Sequence, residues 1–308
     1  MKLLYGLRGV PDFEASAVTI GNFDGVHLGH QQLISRLKEQ ASLRKIPSVV
    51  IVLEPQPTEF FCKQNAPARL STLREKIIWL KQLKVDYVYC LKFNKNLATM
   101  PYELFAKTYF YSRLKAQYII LGQDFHFGYN REGTIEKLKE LAFLKTCAIE
   151  CFNDVTLNNK RVSSTEIRQL LELSQLQEAS VLLGKHYSIC GRVVKGKGQG
   201  RQWGIPTANI QQRYLISPIK GVFFVQAYSK EGEVLNGVAN IGYRPTVDGQ
   251  QFILEIHFLE LNKDLYGKFL QIVFLHKLRD EVKFSSVDAL IAQIKADIEA
   301  GKRFFELY

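Results

Sequence analysis

Five short apolar runs punctuate the first half of the chain: AVTI (17–20), VVIVL (49–53), YVYCL (87–91), YIIL (118–121) and AIECF (148–152). Each is rich in β-branched or aromatic residues and apolar at nearly every position. Strands buried on both faces read that way. Between them lie stretches with helical spacing, at 30–44, 72–84, 102–115 and 134–145. Regular alternation of strand and helix leaves few topologies, and it predicts a parallel sheet with right-handed crossovers. Ligands in such sheets bind at the carboxyl ends of the strands.

The pattern changes near residue 186. A last helical pair, 164–173 and 175–183, ends at Gly184-Lys185. Strand-like runs follow: YSICGRVV (187–194), VFFVQAY (222–228), VLNGVANI (234–241), FILEIHFLEL (252–261) and FLQIVFLHKL (269–278), separated by the turn signals SKEG, TVDG and NKDLYGK. This reads as a β-barrel or a sandwich. One helix closes the chain, capped by Ser285 or Ser286, with Val287, Leu290, Ile291, Ile294 and Ile298 as a core-packing stripe. The expected domains are 1–185 and 186–308.

Between the first strand and the first helix stands GNFDGVHLGH (21–30). A helix N-terminus offers free backbone N–H groups and partial positive charge, which favour phosphate. Gly21, Gly25 and Gly29 allow close approach of backbone and ligand. His27 and His30, three apart, share one face and can donate to phosphate oxygens as charge develops. After the sheet comes RVSSTEIR (161–168), where Ser164 and Thr165 can cap a helix and Arg168 can present its fork to a phosphate. An ordinary capped helix with a surface Arg reads the same way.

Of 308 residues, 41 are Lys or Arg and 30 are Asp or Glu, a net charge of +11. The excess divides into +7 before residue 186 and +4 after it. That suits anionic partners, nucleic acid or phosphorylated small molecules, and equally a solubility surplus. A nucleic-acid-binding protein would need a clustered basic face, and no basic motif is interleaved with aromatics. Five cysteines, Cys62, Cys90, Cys147, Cys151 and Cys190, form no CxxC. Cys90 and Cys151 fall in apolar runs and read as small core residues. No long apolar segment suggests a leader or a membrane span. The expectation is a cytoplasmic protein with reduced thiols.

The HxGH tetrad after a strand is similar to the signature of the nucleotidyltransferase superfamily. No KMSKS-like loop of an aminoacyl-tRNA synthetase follows. TIGNFDGVHLGHQ (19–31), LEPQPTEFF (53–61), LGQDFHFGYNREG (121–133) and RVSSTEIR resemble, in order, motifs of the adenylyltransferase domain of prokaryotic bifunctional riboflavin kinase/FMN adenylyltransferases, or FAD synthetases. GKGQGRQWGIPTANI (196–210), NIGYRPTVDG (240–249), LEIHFLELNKDLYGK (254–268) and FLHKLRDEVKF (274–284) resemble blocks of the kinase domain. The resemblance covers nearly the whole chain. It implies a Rossmann-like nucleotidyltransferase domain with a parallel sheet, then an all-β barrel domain with a C-terminal helix.

The resemblance also implies roles. His27 and His30 would contact ATP phosphates; Gly21, Asn22, Phe23 and Asp24 would shape the nucleotide pocket; Ser164, Thr165 and Arg168 would hold the triphosphate. Gly122, Asp124 and Phe127 would lie near adenine or flavin, although Phe127 can equally be core and Asp124 a turn cap. In the second domain, Gly196, Lys197, Gly198, Gly200 and Arg201 would form a phosphate-covering flap. Thr207 and Asn209, two apart in an extended segment, offer hard oxygens for Mg²⁺. Glu255 would be the general base on riboflavin's hydroxyl. Arg279 would contact flavin or phosphate, or pair with Asp280 or Glu281. ATP, riboflavin and FMN are the implied substrates, with no nucleic acid, membrane or obligate protein partner. The chain departs from the family at Gln56, where EPHP has histidine, at His126 for an arginine, and at Trp203 and Ile205 before PTAN. A kinase-only protein with a degenerate first domain is the nearest rival; a flavin-responsive nucleic-acid-binding protein is a more distant one.

Overall fold

The computed structural model describes all residues except 7, 8, 10, 142, 144, 145, 158, 159, 197, 212–215, 247, 248 and 262, and, within strands and helices, leaves the side chains of 64, 244–246 and 249–251 undescribed. The chain forms two compact units, Met1–Pro67 with Ser71–Ser164, and Ala68–Leu70 with Thr165–Tyr308.

The first unit is built on a six-stranded sheet: β1 (Lys2–Tyr5), β2 (Ser16–Gly21), β3 (Ser48–Glu54), β4 (Tyr87–Lys92), β5 (Ala116–Gly122) and β6 (Ala148–Phe152), in the order β1-β4-β3-β2-β5-β6. Every pair is parallel. The central strands are buried on both faces, as a continuous apolar run requires. Val49, Val50, Ile51 and Val52 are all fully buried, each contributing about 1.5–3 kcal/mol of apolar burial. AIECF departs from that reading. It is the outermost strand, its residues are exposed or half-buried, and Cys151 is exposed rather than core. Cys90 is buried, and burial pushes its thiol up to about 11.

Helix α1 (Leu28–Arg44) covers one face through Leu33, Ile34, Leu37 and Ala41. Further helices are α2 (Pro57–Cys62), α3 (Leu73–Gln82), α4 (Lys95–Ala98), α5 (Tyr102–Phe105) and α6 (Ile135–Glu140). The helix expected over 102–115 starts as α5 and widens into a π-turn at Ala106–Arg113. The one expected over 134–145 ends at Glu140. A small hairpin, β7 (Thr156–Leu157) and β8 (Lys160–Arg161), precedes α7 (Ser164–Glu172) and α8 (Leu176–Leu183).

The second unit settles the choice between sandwich and barrel. Strands β9 (Ser188–Val194), β10 (Ala208–Gln211), β11 (Gly221–Ser229), β12 (Val234–Thr246), β13 (Gly249–Phe258) and β14 (Phe269–Arg279) close into an antiparallel barrel, β10-β13-β12-β11-β14-β9. A one-turn helix, α9 (Gln199–Gln202), lies between β9 and β10. Helices α7 and α8, expected with the first half, count with the barrel, where Lys277 on β14 donates to Ser174 Oγ at 3.0 Å.

The closing helix α10 (Val287–Leu307) is capped by Ser286, which accepts from Ala289 N–H. It crosses β12 at Gly301, where a Cβ would stand 2.8 Å from Val238 Cγ2. Phe304 stacks on Phe224 with ring centroids 4.7 Å apart. The expected stripe is only partly core. Ile298 is buried, Leu290, Ile291 and Ile294 are half-buried, and Val287 is 54% exposed.

Candidate active sites

The GNFDGVHLGH segment leaves β2 at its carboxyl end through a strained turn. Phe23 and Val26 both adopt positive φ (47° and 43°), which is costly for a β-branched residue. Ser71 holds the turn in shape. Its Oγ accepts from Gly25 N–H at 2.7 Å, and its N–H and Oγ donate to Asp24 Oδ1 at 3.0 and 3.2 Å. Phe23 and Asp24 are each 2% exposed, so they support the turn from beneath.

His27 is the N-cap of α1, with extended backbone, so the helix starts at Leu28 and not at His30. Its Nδ1 accepts from His30 N–H at 3.4 Å. The two imidazoles stack with centroids 3.6 Å apart, and Phe23 backs His30 at 5.1 Å. Gly29 makes room for this: a Cβ there would meet the His27 ring at 3.2 Å. Two stacked imidazoles at the amino end of a 17-residue helix form a donor-rich, electropositive corner. Ser164 reaches it, donating its Oγ–H to the Asp24 carbonyl at 3.0 Å.

The other residues singled out for adenylyl transfer divide. Thr165 and Arg168 belong to the second unit, where Arg168 Nε donates to Ala68 O at 2.6 Å. Asp124 is exposed and paired with Arg161. Phe127 is core: it is 6% exposed and packs with Phe105, Phe110 and Phe125. His126 is exposed and donates from Nδ1 to Asp124 O at 2.9 Å. Gln56 is buried at the N-cap of α2, where its N–H donates to the Glu59 carboxylate at 3.0 Å.

The barrel carries a cavity of about 390 Å³, lined by Gly198, Gly200, Thr207, Asn209, Glu255 and Arg279 among others. Six of the residues singled out for kinase chemistry therefore line one cavity. Sheet register explains two of them, since Asn209 pairs with Glu255 across β10 and β13, and Glu255 pairs in turn with Asn240 on β12, which also lines the cavity. Glu255 is half-buried between the buried Leu254 and Ile256, so it faces opposite to them, into the cavity. The glycines fit by close approach. A Cβ on Gly196 would stand 2.3 Å from Asn209 Nδ2, and one on Gly200 would stand 2.4 Å from the Ile205 carbonyl. Arg201 is exposed and is not part of the lining; Lys197 lies outside the described residues. Trp203 and Ile205, the departures before PTAN, both line the cavity.

Arg279 pairs with neither Asp280 nor Glu281 through their carboxylates. Its partner is Asp297 on α10, 5% exposed, which accepts from Nε at 3.0 Å and from Nη2 at 2.7 Å. Gln293 Nε2 adds a bond to Asp297 Oδ1 at 2.9 Å. Leu290, Ile294 and Ile298 give the cavity an apolar wall, which accounts for the incomplete burial of the α10 stripe. Asp297 escaped the sequence reading. Its signal was an acid three residues after Ile294, inside an apolar helical stripe.

The donor set beside the cavity suits a hard cation. Thr207 and Asn209 offer neutral oxygens, and the main chain at Gly196 cradles Asn209. Among the described residues no three His, Cys, Asp or Glu gather to hold a metal. Such a sparse oxygen site matches Mg²⁺, which keeps waters and binds through substrate phosphates.

Residues 10–166 match the family described as FAD synthetase, and residues 183–305 match the family described as riboflavin kinase. A protein from Haemophilus influenzae, "Bifunctional riboflavin kinase/FMN adenylyltransferase", is 41% identical over 306 residues, covering 99% of both chains. One of the same description from Escherichia coli K12 is 40% identical over 315 residues, covering 100% of this chain and 99% of the other. A crystal structure titled "Macrolide-efflux Protein from Streptococcus pneumoniae" superposes with a TM-score of 0.81 at 28% identity, covering 97% of this chain and 98% of that one. With both halves matched in order and relatives aligned from end to end, the chain belongs to the bifunctional riboflavin kinase/FMN adenylyltransferase family.

Proposed function

We propose that this chain phosphorylates riboflavin with ATP to FMN in residues 186–308 and adenylylates FMN with a second ATP to FAD in residues 1–185. The observation that carries the reading is the barrel cavity, which is lined by a carboxylate, two hard oxygen donors, a glycine flap and a fixed guanidinium.

In phosphoryl transfer, Glu255 takes the proton from the riboflavin hydroxyl as that oxygen attacks the γ-phosphorus of ATP, the β–γ bond breaks and ADP leaves. The N–H groups around Gly198 and Gly200 cover the triphosphate. Thr207 and Asn209 would hold Mg²⁺, which supplies charge neutralisation on the phosphates. Arg279, anchored by Asp297, orients the flavin or its phosphate against the apolar wall of α10. In adenylyl transfer, an FMN phosphate oxygen attacks the α-phosphorus of ATP, and pyrophosphate leaves. His27 and His30 donate to the oxygens on which charge gathers, supported by the amino end of α1. Gly21 and Asn22 border the nucleotide, and Ser164 holds its triphosphate. The exposed Asp124 stands for the flavin side.

A cytoplasmic setting fits the five free cysteines. No helix among the described residues is long and apolar enough to cross a membrane. The test is to incubate the protein with riboflavin, ATP and Mg²⁺ and separate the products by chromatography. FMN followed by FAD is the expected course. FMN that accumulates without FAD would leave only the kinase.

A further inference from the structure

Strand β13 turns two side chains into the barrel cavity. Glu255 and His257 stand two apart on that face, while Leu254, Ile256 and Phe258 on the other are buried. The kinase reading employs Glu255 and leaves His257 without a task. The His257 ring Nδ1 lies 2.9 Å from the carbonyl oxygen of Pro206. A carbonyl oxygen only accepts, so Nδ1 carries the proton and donates.

The β10–β13 ladder pairs Ala208 with Ile256 and Asn209 with Glu255. Pro206 and Thr207 precede β10, and Pro206 has no N–H to extend the ladder. The bond from His257 therefore ties β13 to a stretch the ladder does not reach. The Pro206 carbonyl and the Thr207 nitrogen share one peptide plane, so pinning the oxygen also orients Thr207.

We propose that His257 is a positioning residue for phosphoryl transfer: through the Pro206 carbonyl it fixes Thr207 where the cation and the triphosphate are taken up. This rests on the kinase reading of the cavity. It makes His257 matter to the use of the cation–nucleotide complex rather than to the binding of riboflavin.

The test uses the full chain with His257→Asn, His257→Gln and His257→Ala. An Asn amide N–H falls near the position of Nδ1, whereas Gln carries its donor one bond further out. FMN formation is measured against Mg²⁺ concentration at fixed ATP and riboflavin, with conversion of added FMN to FAD and thermal melting alongside. The Ala and Gln variants are expected to need more Mg²⁺ for half-maximal rate and to lose about threefold to tenfold in kcat, the range one hydrogen bond covers. The riboflavin KM and FAD formation should hold, and Asn should recover most of the loss. A merely structural role would lower the melting temperature and the active fraction at an unchanged Mg²⁺ requirement. An Ala variant with wild-type kcat and Mg²⁺ dependence overturns the inference, as does an Asn variant no better than Ala. If the wild-type protein makes no FMN at all, the kinase reading itself falls.

Discussion

Gly200→Ala adds one methyl group to the flap, and the structure says where it goes. The new Cβ would stand 2.4 Å from the Ile205 carbonyl oxygen and 3.4 Å from Thr207 Oγ1. The segments cannot simply part, because Ile205 N–H donates to the Gly200 carbonyl at 2.8 Å. Real Cβ contacts stay beyond 3.0 Å, so the Ile205 carbonyl must retreat by about 0.6 Å, and by about 1 Å to reach ordinary contact at 3.4 Å. Pro206 and Thr207 follow in the chain and move with it. A displacement near 1 Å of a group that sets reacting geometry costs on the order of 100-fold, so FMN formation should fall about 10- to 100-fold. Stability should fall by about 1–3 kcal/mol, the usual cost of overpacking against a buried residue, here Ile205 at 4% exposure. Gly204→Ala is the control: its φ of +74° makes alanine strained, but no atom lies within 4 Å of the new Cβ. The assay follows FMN from riboflavin at saturating ATP, with FAD from added FMN as internal reference. A Gly200→Ala variant that keeps most of its kinase rate, or a Gly204→Ala variant equally impaired, would refute the reasoning.

His27→Ala with His30→Ala should stop FAD formation by about 100-fold or more while FMN accumulates from riboflavin, as expected when donors to a developing charge are lost; parallel loss of both reactions in a folded protein would refute it. Glu255→Gln should do the converse, leaving riboflavin unused while added FMN still becomes FAD, followed on the same chromatograms. Exhaustive chelation should abolish both activities, with Mg²⁺ restoring them; full activity in chelator counts against the oxygen site at Thr207 and Asn209. The hydrogen bond from Arg36 holds the Glu150 carboxyl below its ordinary 4.5. Its stabilising contribution is complete above that value and lost as the pH falls through the lower folded one. Glu150→Gln should therefore flatten the acid side of the stability profile, read by urea unfolding as the pH is lowered from neutrality through the ordinary carboxylate range.

The elements legible in the sequence were those whose periodicity matched their burial. AVTI and VVIVL lie in the middle of the sheet, and their unbroken apolar runs announced it. AIECF carried the same signal but lies outermost, because composition does not say which strand has a neighbour on only one side. KLLY, the strand β1, was too short to register, and only Leu4 in it is buried. Strand β10 begins inside PTAN, so it was read as an extended segment without its pairing to β13. At the sites, short motifs singled out His27 with His30 and Thr207 with Asn209, pairs no more than three apart in the chain, whereas Asn209 and Glu255 are brought together by the β10–β13 ladder. Asp297 was missed because its partner Arg279 stands 18 residues away, and that meeting depends on how α10 lies along the barrel. Phe127 was ambiguous because an aromatic beside a glycine reads the same in a pocket and in a core.

The barrel closes by joining its first strand to its last. Strand β9 pairs with β14, Ser188 opposite Val273 and Arg192 opposite Phe269. During synthesis β9 therefore emerges long before its partner, and until β14 follows it presents unpaired N–H and C=O groups along one side. Pairings between such distant segments form slowly, and domains made earlier fold first. The sheet of the first unit can thus be complete on a nascent chain whose barrel is still an open, adhesive ribbon. A chain cut short before residue 269 would not yield a smaller barrel but one with two sticky margins. It should reach the cell as aggregate or as a substrate for proteolysis, whatever the quality of the site that was already made.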